Sequence, residues 1–237
     1  MPSTLSAMLY LHWKFQVEIY ASVLRCRHEI FTVEIIIDKP LKIMKKNYHH
    51  GDLKRALIDA GLVELEESGV EGLSMRKIAS RVGVSHTAPK NHFDGFRGLL
   101  TALATRGFEM QVAAMLHATA PSDEIPDRVG RPGNGYFAFA LEHPELYKLM
   151  FSRTLTDGTD EELRRASQAS YDILRGIAAE LSDQQGDHRL TEWALWSLVH
   201  GYAILMIEGE IPRSENGDVI YDVRDLIAGL HPTRSAH

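Results

Sequence analysis

The sequence predicts an all-α fold, and three observations lead to this prediction. After residue 44, apolar residues recur at helical spacing along most of the chain. The period-two alternation that is typical of strands is absent there over any useful length. Between Ser74 and Phe93, two short helical patterns flank a glycine. We therefore expect an N-terminal three-helix domain of the helix-turn-helix type, followed by a larger helical domain.

Residues 74–93 carry the helix-turn-helix pattern itself. Ser74 is a good N-cap, because its side-chain oxygen can accept a hydrogen bond from a free backbone N–H. The buried face of the first helix is predicted to comprise Met75, Ile78, Ala79 and Val82. Gly83 should end this helix, since glycine adopts the left-handed conformation at little cost. Ser85 is a second N-cap, which predicts a second helix from His86 to His92.

The second helix would turn a polar surface outwards. Hydrogen-bonding side chains of groove-reading length stand at Ser85, His86, Thr87, Lys90, Asn91 and His92. In a DNA-binding helix-turn-helix, this helix enters the major groove. An ordinary helix–glycine–helix corner remains the alternative on spacing alone. A preceding helix over about 52–68, capped by Asp52, would form the third wall, with an apolar stripe at Leu53, Ala56, Leu57, Ala60 and Val63.

Two motifs resemble one known family. The run I-A-S-R-V-G-V-S, followed by H-F and then L-L, resembles the DNA-binding signature of TetR-type regulators over roughly 48–100. The motif W-x-x-x-H-G, at Trp196, His200 and Gly201, is similar to a subgroup with a Trp-His-Gly motif in the C-terminal domain. The resemblance implies a ligand-responsive regulator of double-stranded DNA, most often a repressor that reads an inverted repeat. It also implies a homodimer, formed by the last two helices of each copy.

The resemblance and the polar surface together select the candidate DNA contacts. They are Tyr48, Ser74, Arg76, Lys77, Ser85, His86, Thr87, Lys90, Asn91 and His92. We expect Thr87 and Asn91 to read bases, and Lys90 with Arg76 or Lys77 to contact phosphate. The family usually has tyrosine at the position of Lys90 and lysine at that of Phe96. A helical ligand-binding or scaffolding protein with a weakened DNA-binding head is therefore the alternative.

The chain divides into four predicted regions. Residues 1–43 are expected to be a non-native or disordered extension, with translation starting at Met44. Residues 44–100 form the helix-turn-helix domain, residues 101–231 the helical effector-binding and dimerisation domain, and residues 232–237 a tail. Within the second domain, a break is predicted over residues 131–135, where a proline and two glycines disfavour a helix, which should resume at Tyr136.

An aromatic-rich set in the second domain could line an effector pocket. The candidates are Phe137, Tyr147, Met150, Phe151, Trp193, Trp196 and His200. Such side chains suit a small apolar or aromatic ligand, although ordinary core packing is the stronger expectation for each of them. For His200 that expectation is a core histidine bonded to a carbonyl, with Gly201 allowing close helix packing.

Composition excludes several other classes of protein. The single cysteine, Cys26, leaves no intramolecular disulfide and no cysteine-rich zinc site, and suits a reducing cytoplasm. No H-E-x-x-H or G-x-S-x-G motif is present, so we predict no catalytic activity, no metal and no cofactor. We also predict no membrane association. Residues 45–100 carry nine Lys and Arg against seven Asp and Glu, whereas residues 101–237 carry twelve against twenty-one, which favours docking on DNA by the first domain.

Overall fold

The structure, a computed structural model, describes residues 50–117, 125–182, 188–212, 214 and 220–230. These residues lie in one compact unit. The helices are α1 (His50–Gly72), α2 (Met75–Val82), α3 (Gly95–His117), α4 (Ile125–Glu142), α5 (Pro144–Met150), α6 (Glu161–Leu181), α7 (His188–Ile207) and α8 (Val223–Leu230), with a 3-10 helix at Ala88–Asn91. The all-α prediction is confirmed. The predictions for residues 1–43, Tyr48 and 232–237 fall outside the described residues.

The first turn of α2 and its end follow the sequence signals. The Ser74 side chain accepts a hydrogen bond from the backbone N–H of Lys77 at 3.2 Å. Gly83 ends the helix in the left-handed conformation, with φ of 77°. Gly69 interrupts α1, with φ of 66° and ψ of 175°, in agreement with a predicted end near residue 68. The prediction for Val63 is wrong, because this side chain is 47% exposed on α1.

The predicted second helix from His86 to His92 is also wrong in form. The chain makes a turn at residues 86–87 and then the 3-10 helix, whose first turn contains Pro89. An α-helix capped by Ser85 would need the residue 89 N–H to donate to the Ser85 carbonyl, and proline has no N–H. The carbonyl instead accepts from Ala88 at 2.9 Å. The Ser85 hydroxyl lies 2.9 Å from that of Thr87 and does not cap the helix.

The predicted break at residues 131–135 does not occur, since α4 is continuous and contains Pro132. Packing explains the difference. A Cβ at Gly133 would lie 2.2 Å from a methyl carbon of Val223, and one at Gly135 would lie 2.4 Å from the Ala114 carbonyl oxygen. The glycines therefore let α8 and α3 approach α4 closely, and tertiary contacts outweigh the low helix propensity of this stretch.

Helix α3 is central to the packing of the unit. It packs against α4, α5 and α6, and it also contacts α1. Its inner side buries Leu103, Phe108 and Val112 almost completely. One helix thus joins the helix-turn-helix part, which we call the head, to the part formed by α4 to α8, which we call the body. The division into two domains at residue 100 stays a prediction.

Candidate nucleic-acid interface and effector cavity

The polar residues between the two helical elements of the head lie on its surface. Ser85, His86, Thr87, Lys90 and Asn91 are exposed, while His92 is half-buried. Pro89 and Phe93 are buried beneath them. A short polar surface therefore rests on an apolar base, and its hydroxyl, imidazole, amide and ammonium groups can reach a nucleic acid without unfolding the head.

The three candidates around α2 differ in what else they do. Arg76 is exposed. Ser74 is engaged as the cap of α2. The Lys77 ammonium donates to the Gly72 carbonyl at 2.9 Å and pairs with Glu64 at 3.2 Å. Lys77 thus has a structural partner, although its side chain is 55% exposed. The DNA contacts assigned to all three remain predictions.

Sequence reasoning missed the carboxylate that joins α1 to α2. Glu64 is nearly buried and pairs with Arg81 at 2.8 Å, in addition to Lys77. Arg81 also bonds to Glu67, one turn further along α1. The Arg81 hydrogen bond, followed by that of Lys77, lowers the pKa of Glu64. The spacing of Glu64 and Glu67 places both on one face of α1, but only the fold reveals that cations of α2 lie opposite.

We expect Glu64→Gln to flatten the acid dependence of stability. Because the folded-state pKa of Glu64 lies below its unfolded value, the ionised group stabilises the fold fully above about pH 4.3. That contribution disappears as the pH falls through the folded-state pKa. Urea unfolding midpoints at pH 7, 5 and 3 would measure it. The wild type should lose more stability than the variant, whereas Glu71→Gln, at an exposed position of α1, should follow the wild type. Parallel losses for wild type and Glu64→Gln would contradict this role.

A cavity of about 300 Å³ lies in the body. It is bordered by α3, α4, α6, α7, α8 and the segment after α5. Its lining residues are Phe108, Met115, Gly133, Tyr136, Phe151, Arg153, Ser167, Gln168, Ser170, Tyr171, Leu174, Ile177, Leu195, Trp196, Val199 and Val223. The volume is at the low end of the range for ligand pockets, about 300–1,000 Å³, and the largely apolar wall suits an apolar ligand.

Only part of the predicted ligand set meets at this cavity. Phe151 and Trp196 line it. Phe137, Tyr147 and Met150 are buried in the core instead. Trp193 is 57% exposed on α7, with the Arg189 guanidinium carbon 5.8 Å from its ring centroid. A sequence pattern identifies aromatic residues on a helix, but it does not show which of them border an empty space.

His200 lies beside the cavity in a buried polar cluster with two tyrosines. Its Nδ1 is 2.7 Å from the Tyr147 hydroxyl and 3.1 Å from that of Tyr136, and the two hydroxyls are 2.7 Å apart. Burial lowers the pKa of His200, which favours a neutral ring. Burial raises the pKa of both tyrosines, so that they stay protonated donors. Tyr136 in turn lines the cavity.

Two expectations for the His200 region are therefore corrected. Among the described residues, the imidazole bonds to tyrosine hydroxyls and not to a carbonyl, because Tyr136 on α4 and Tyr147 on α5 both reach it. A Cβ built on Gly201 would meet nothing within 4 Å in the described part of the chain. Among the described residues of one copy, this glycine does not serve close helix packing.

A second buried polar pair, of which only Ser170 lines the cavity, was not foreseen. Gln111, on α3, is completely buried, and its Oε1 accepts a hydrogen bond from the Ser170 hydroxyl at 2.7 Å. The Gln111 Nε2 has no hydrogen-bond partner among the described residues. A buried donor left without a partner costs about 1–3 kcal/mol. The presence of a glutamine within the apolar stripe of α3 was the sequence signal that could have predicted this buried polar pair.

Helix α5 connects this region to the head. The Glu66 carboxylate of α1 accepts hydrogen bonds from the backbone N–H groups of Glu145 and Leu146, at 3.3 and 3.0 Å. A carboxylate at a helix N-terminus is favourable because free N–H groups and the helix dipole point towards it. The next residue, Tyr147, belongs to the His200 cluster. One short helix therefore contacts both the head and the wall of the cavity region.

Comparisons with known proteins agree with this architecture. Residues 131–226 match the family described as tetracyclin repressor-like, C-terminal domain. A structure of a protein of unknown function from Rhodococcus sp. RHA1 is 31% identical, covers 78% of this chain and 95% of its own, and gives a TM-score of 0.64. An uncharacterized HTH-type transcriptional regulator of Mycobacterium tuberculosis is 24% identical over 187 residues, which are 78% of this chain and 84% of that regulator.

A further solved structure extends the likeness in fold. A TetR family transcription regulator from Marinobacter aquaeolei VT8 is 17% identical, with a TM-score of 0.52, and the match covers 70% of this chain and 89% of that one. The relatives with a named role are transcriptional regulators and not enzymes. Membership of the subgroup with the Trp-His-Gly motif stays a prediction. The chain belongs to the TetR family of helix-turn-helix transcriptional regulators.

Proposed function

We propose that the protein is a dimeric repressor in the cytoplasm, which reads an inverted-repeat operator through residues 85–92 and is released by a small apolar or aromatic effector. The observation that carries this proposal is the exposed polar surface on the buried base of Pro89 and Phe93. In a repressor the side chains that reach base edges must be exposed and held in fixed positions. The exposed Thr87 and Asn91 fit base reading, and Lys90 and Arg76 fit phosphate contact.

The outer face of α7 supports the dimer. Leu190, Trp193 and Leu205 are exposed by 66%, 57% and 44%, which is unusual for large apolar side chains on one helix. Among the described helices, α7 alone is long and apolar enough to cross a membrane. Its inner face packs on the body through Leu195 and Val199. This packing favours a second copy of the protein, and not a membrane, as the partner of the exposed outer face. Two reading heads would then stand roughly 34–36 Å apart or at a multiple of this distance.

The link through α5 supports release by an effector. A ligand in the cavity would contact Tyr136 and Phe151. Tyr136 bonds to Tyr147 on α5, and the first turn of α5 is held by Glu66 of the head. A ligand that favours a different arrangement of the tyrosines would therefore also bias the position of the head.

A titration of the purified 237-residue chain against DNA would test the proposal. Its own upstream DNA and an unrelated fragment of equal length would be compared at two salt concentrations. Preferential binding that weakens with salt is the expected result, because Lys and Arg contacts displace counterions from phosphate. Absence of binding to any genomic fragment at low salt would favour the alternative, a helical ligand-binding protein with a weakened head.

Two single substitutions should separate base reading from phosphate contact. Asn91→Ala should relax sequence choice at one operator position, at a cost of about 1–3 kcal/mol in specific binding. Lys90→Ala should weaken all sequences alike and reduce the salt dependence. Fluorescence anisotropy on operator, single-base variants and unrelated DNA would measure both effects. Arg175→Ala, at an exposed position of α6, is the control for loss of a cation in the body. Equal losses on every sequence for both head variants would show that the assigned roles are wrong.

A further inference from the structure

Among the residues that the structure describes, the lining of the cavity includes one cation and no carboxylate. Among the described residues that line the cavity, Arg153 is the one that carries a charge. It lies just beyond α5 and is exposed. Arg153 makes no ion pair with any residue that the structure describes, whereas the Gln168 amide and the Tyr171 hydroxyl, which also line the cavity, donate to Asp172 and Glu192. A cation at the edge of an apolar cavity that has no ionic partner among the described residues is suited to bind an anion.

The two described carboxylates that bond to cavity-lining side chains do not pair with this arginine. Asp172, one turn beyond Gln168 on α6, accepts a hydrogen bond from the Gln168 amide at 3.0 Å and pairs with Arg175 at 3.4 Å. Glu192 of α7 accepts a hydrogen bond from the Tyr171 hydroxyl at 2.7 Å. Both acidic groups are thus held by partners on α6, and neither of them pairs with Arg153.

The interior of the cavity offers a different environment. Its wall there is built from buried side chains such as Phe108, Met115, Leu174 and Val199. No charged residue lines this part of the cavity within the described ranges. An ionised group placed there would lose its hydration without gaining an ionic partner, at a high cost. A ligand with one charge should therefore keep that charge at the mouth and its apolar part inside.

We propose that the effector is an amphipathic organic acid, whose carboxylate pairs with Arg153 at the mouth of the cavity and whose apolar body fills the interior. This inference rests on the proposal that the cavity is the effector site. The body of the protein is acidic overall, which acts against anions at long range. Charges beyond about 8 Å are largely screened at physiological salt, so that the guanidinium decides the preference at contact distance.

Matched ligands with the same chain length provide the test. Calorimetric titrations would compare octanoate, 1-octanol and octylamine, with hexanoate and decanoate to cover chain length. Octanoate should bind about tenfold more tightly than octanol, and more tightly still than the amine. Arg153→Gln should remove the preference for the acid and leave octanol binding unchanged, while Arg153→Lys should keep most of it. Arg153→Glu should reverse the preference towards octylamine. Since position 153 is exposed, these variants should fold normally.

Three results would overturn the inference. They are the absence of binding below about 1 mM for every acid, equal binding of octanoate and octanol, and unchanged octanoate binding in Arg153→Gln. Release of the operator would be measured separately, on the same proteins. If acids bind through Arg153 but leave the operator complex intact, the proposed release by an effector is wrong while the ligand class stands. If the operator binds specifically and acids do not bind, the regulator stands and the ligand class is wrong.

Discussion

Gly135→Ala should lower the free energy of unfolding by about 2 kcal/mol or more, towards the upper end of the range for overpacked cores. The new Cβ would lie 2.4 Å from the Ala114 carbonyl oxygen and 2.8 Å from Met115 Cα. Both are backbone atoms, so no side-chain rotation relieves the overlap, and α4 must move away from α3. The gain in helix propensity, about 1 kcal/mol for alanine over glycine, offsets only part of the cost. Thermal unfolding would show a decrease of roughly 4–8 °C.

Two other glycine positions serve as controls for this experiment. Gly229→Ala on α8 has no atom within 4 Å of its Cβ among the described residues and should leave the melting temperature unchanged or higher. Gly133→Ala would meet the side chain of Val223, so that trimming the neighbour in Gly133→Ala/Val223→Ala should recover part of the loss. A melting temperature of Gly135→Ala equal to that of the wild type would mean that α3 and α4 are not in close contact.

Trp193→Glu should convert the proposed dimer to a monomer and reduce operator affinity about 100-fold or more. The substitution places a carboxylate in the centre of the exposed apolar face of α7, where a second copy would bury it without a partner. Glutamate is a good helix former, so the isolated helix should not be weakened. A monomer binds one half-site at a time and loses the effective concentration that links the two heads, worth about 10²–10⁴ in affinity.

Light scattering after size-exclusion chromatography would give the mass, and anisotropy on the full operator would give the affinity. Val63→Glu is the control for the mass measurement, because Val63 is also a large exposed apolar side chain, on α1. That variant should keep the mass of the wild type. A dimer mass for Trp193→Glu at micromolar concentration would show that α7 is not the interface.

The parts of the fold that could be predicted from the sequence depend on neighbouring residues. Ser74 caps α2 and Gly83 ends it because both effects act within one turn of helix. The polar residues 85–91 could be assigned to the surface for the same reason, since apolar spacing fixes which side of a short segment is buried. The shape of that segment was missed where Pro89 removes an N–H that the predicted helix needed.

The remaining features depend on residues that are distant in sequence. The continuity of α4 through Pro132 follows from its contacts with Ala114 and Val223. Helix propensities of single residues do not include such contacts. The cavity likewise depends on where five helices leave space, so Tyr136 and Arg153 border it although neither was among the predicted ligand residues. The pairing of His200 with two tyrosines required α4 and α5 to converge on α7.

The contact between Glu66 and α5 also affects how related chains can diverge. Glu66 bonds to backbone N–H groups, so the side chains at 145 and 146 can change during evolution without any compensating change at 66. Proline at either position would be excluded, because it lacks the donor. Residue 66 and its two partners should therefore show no covariation among homologues, although they are in direct contact. A search for coupled positions would miss this connection between head and body. The connection would instead be recognised in homologues by a hydrogen-bond acceptor retained at position 66.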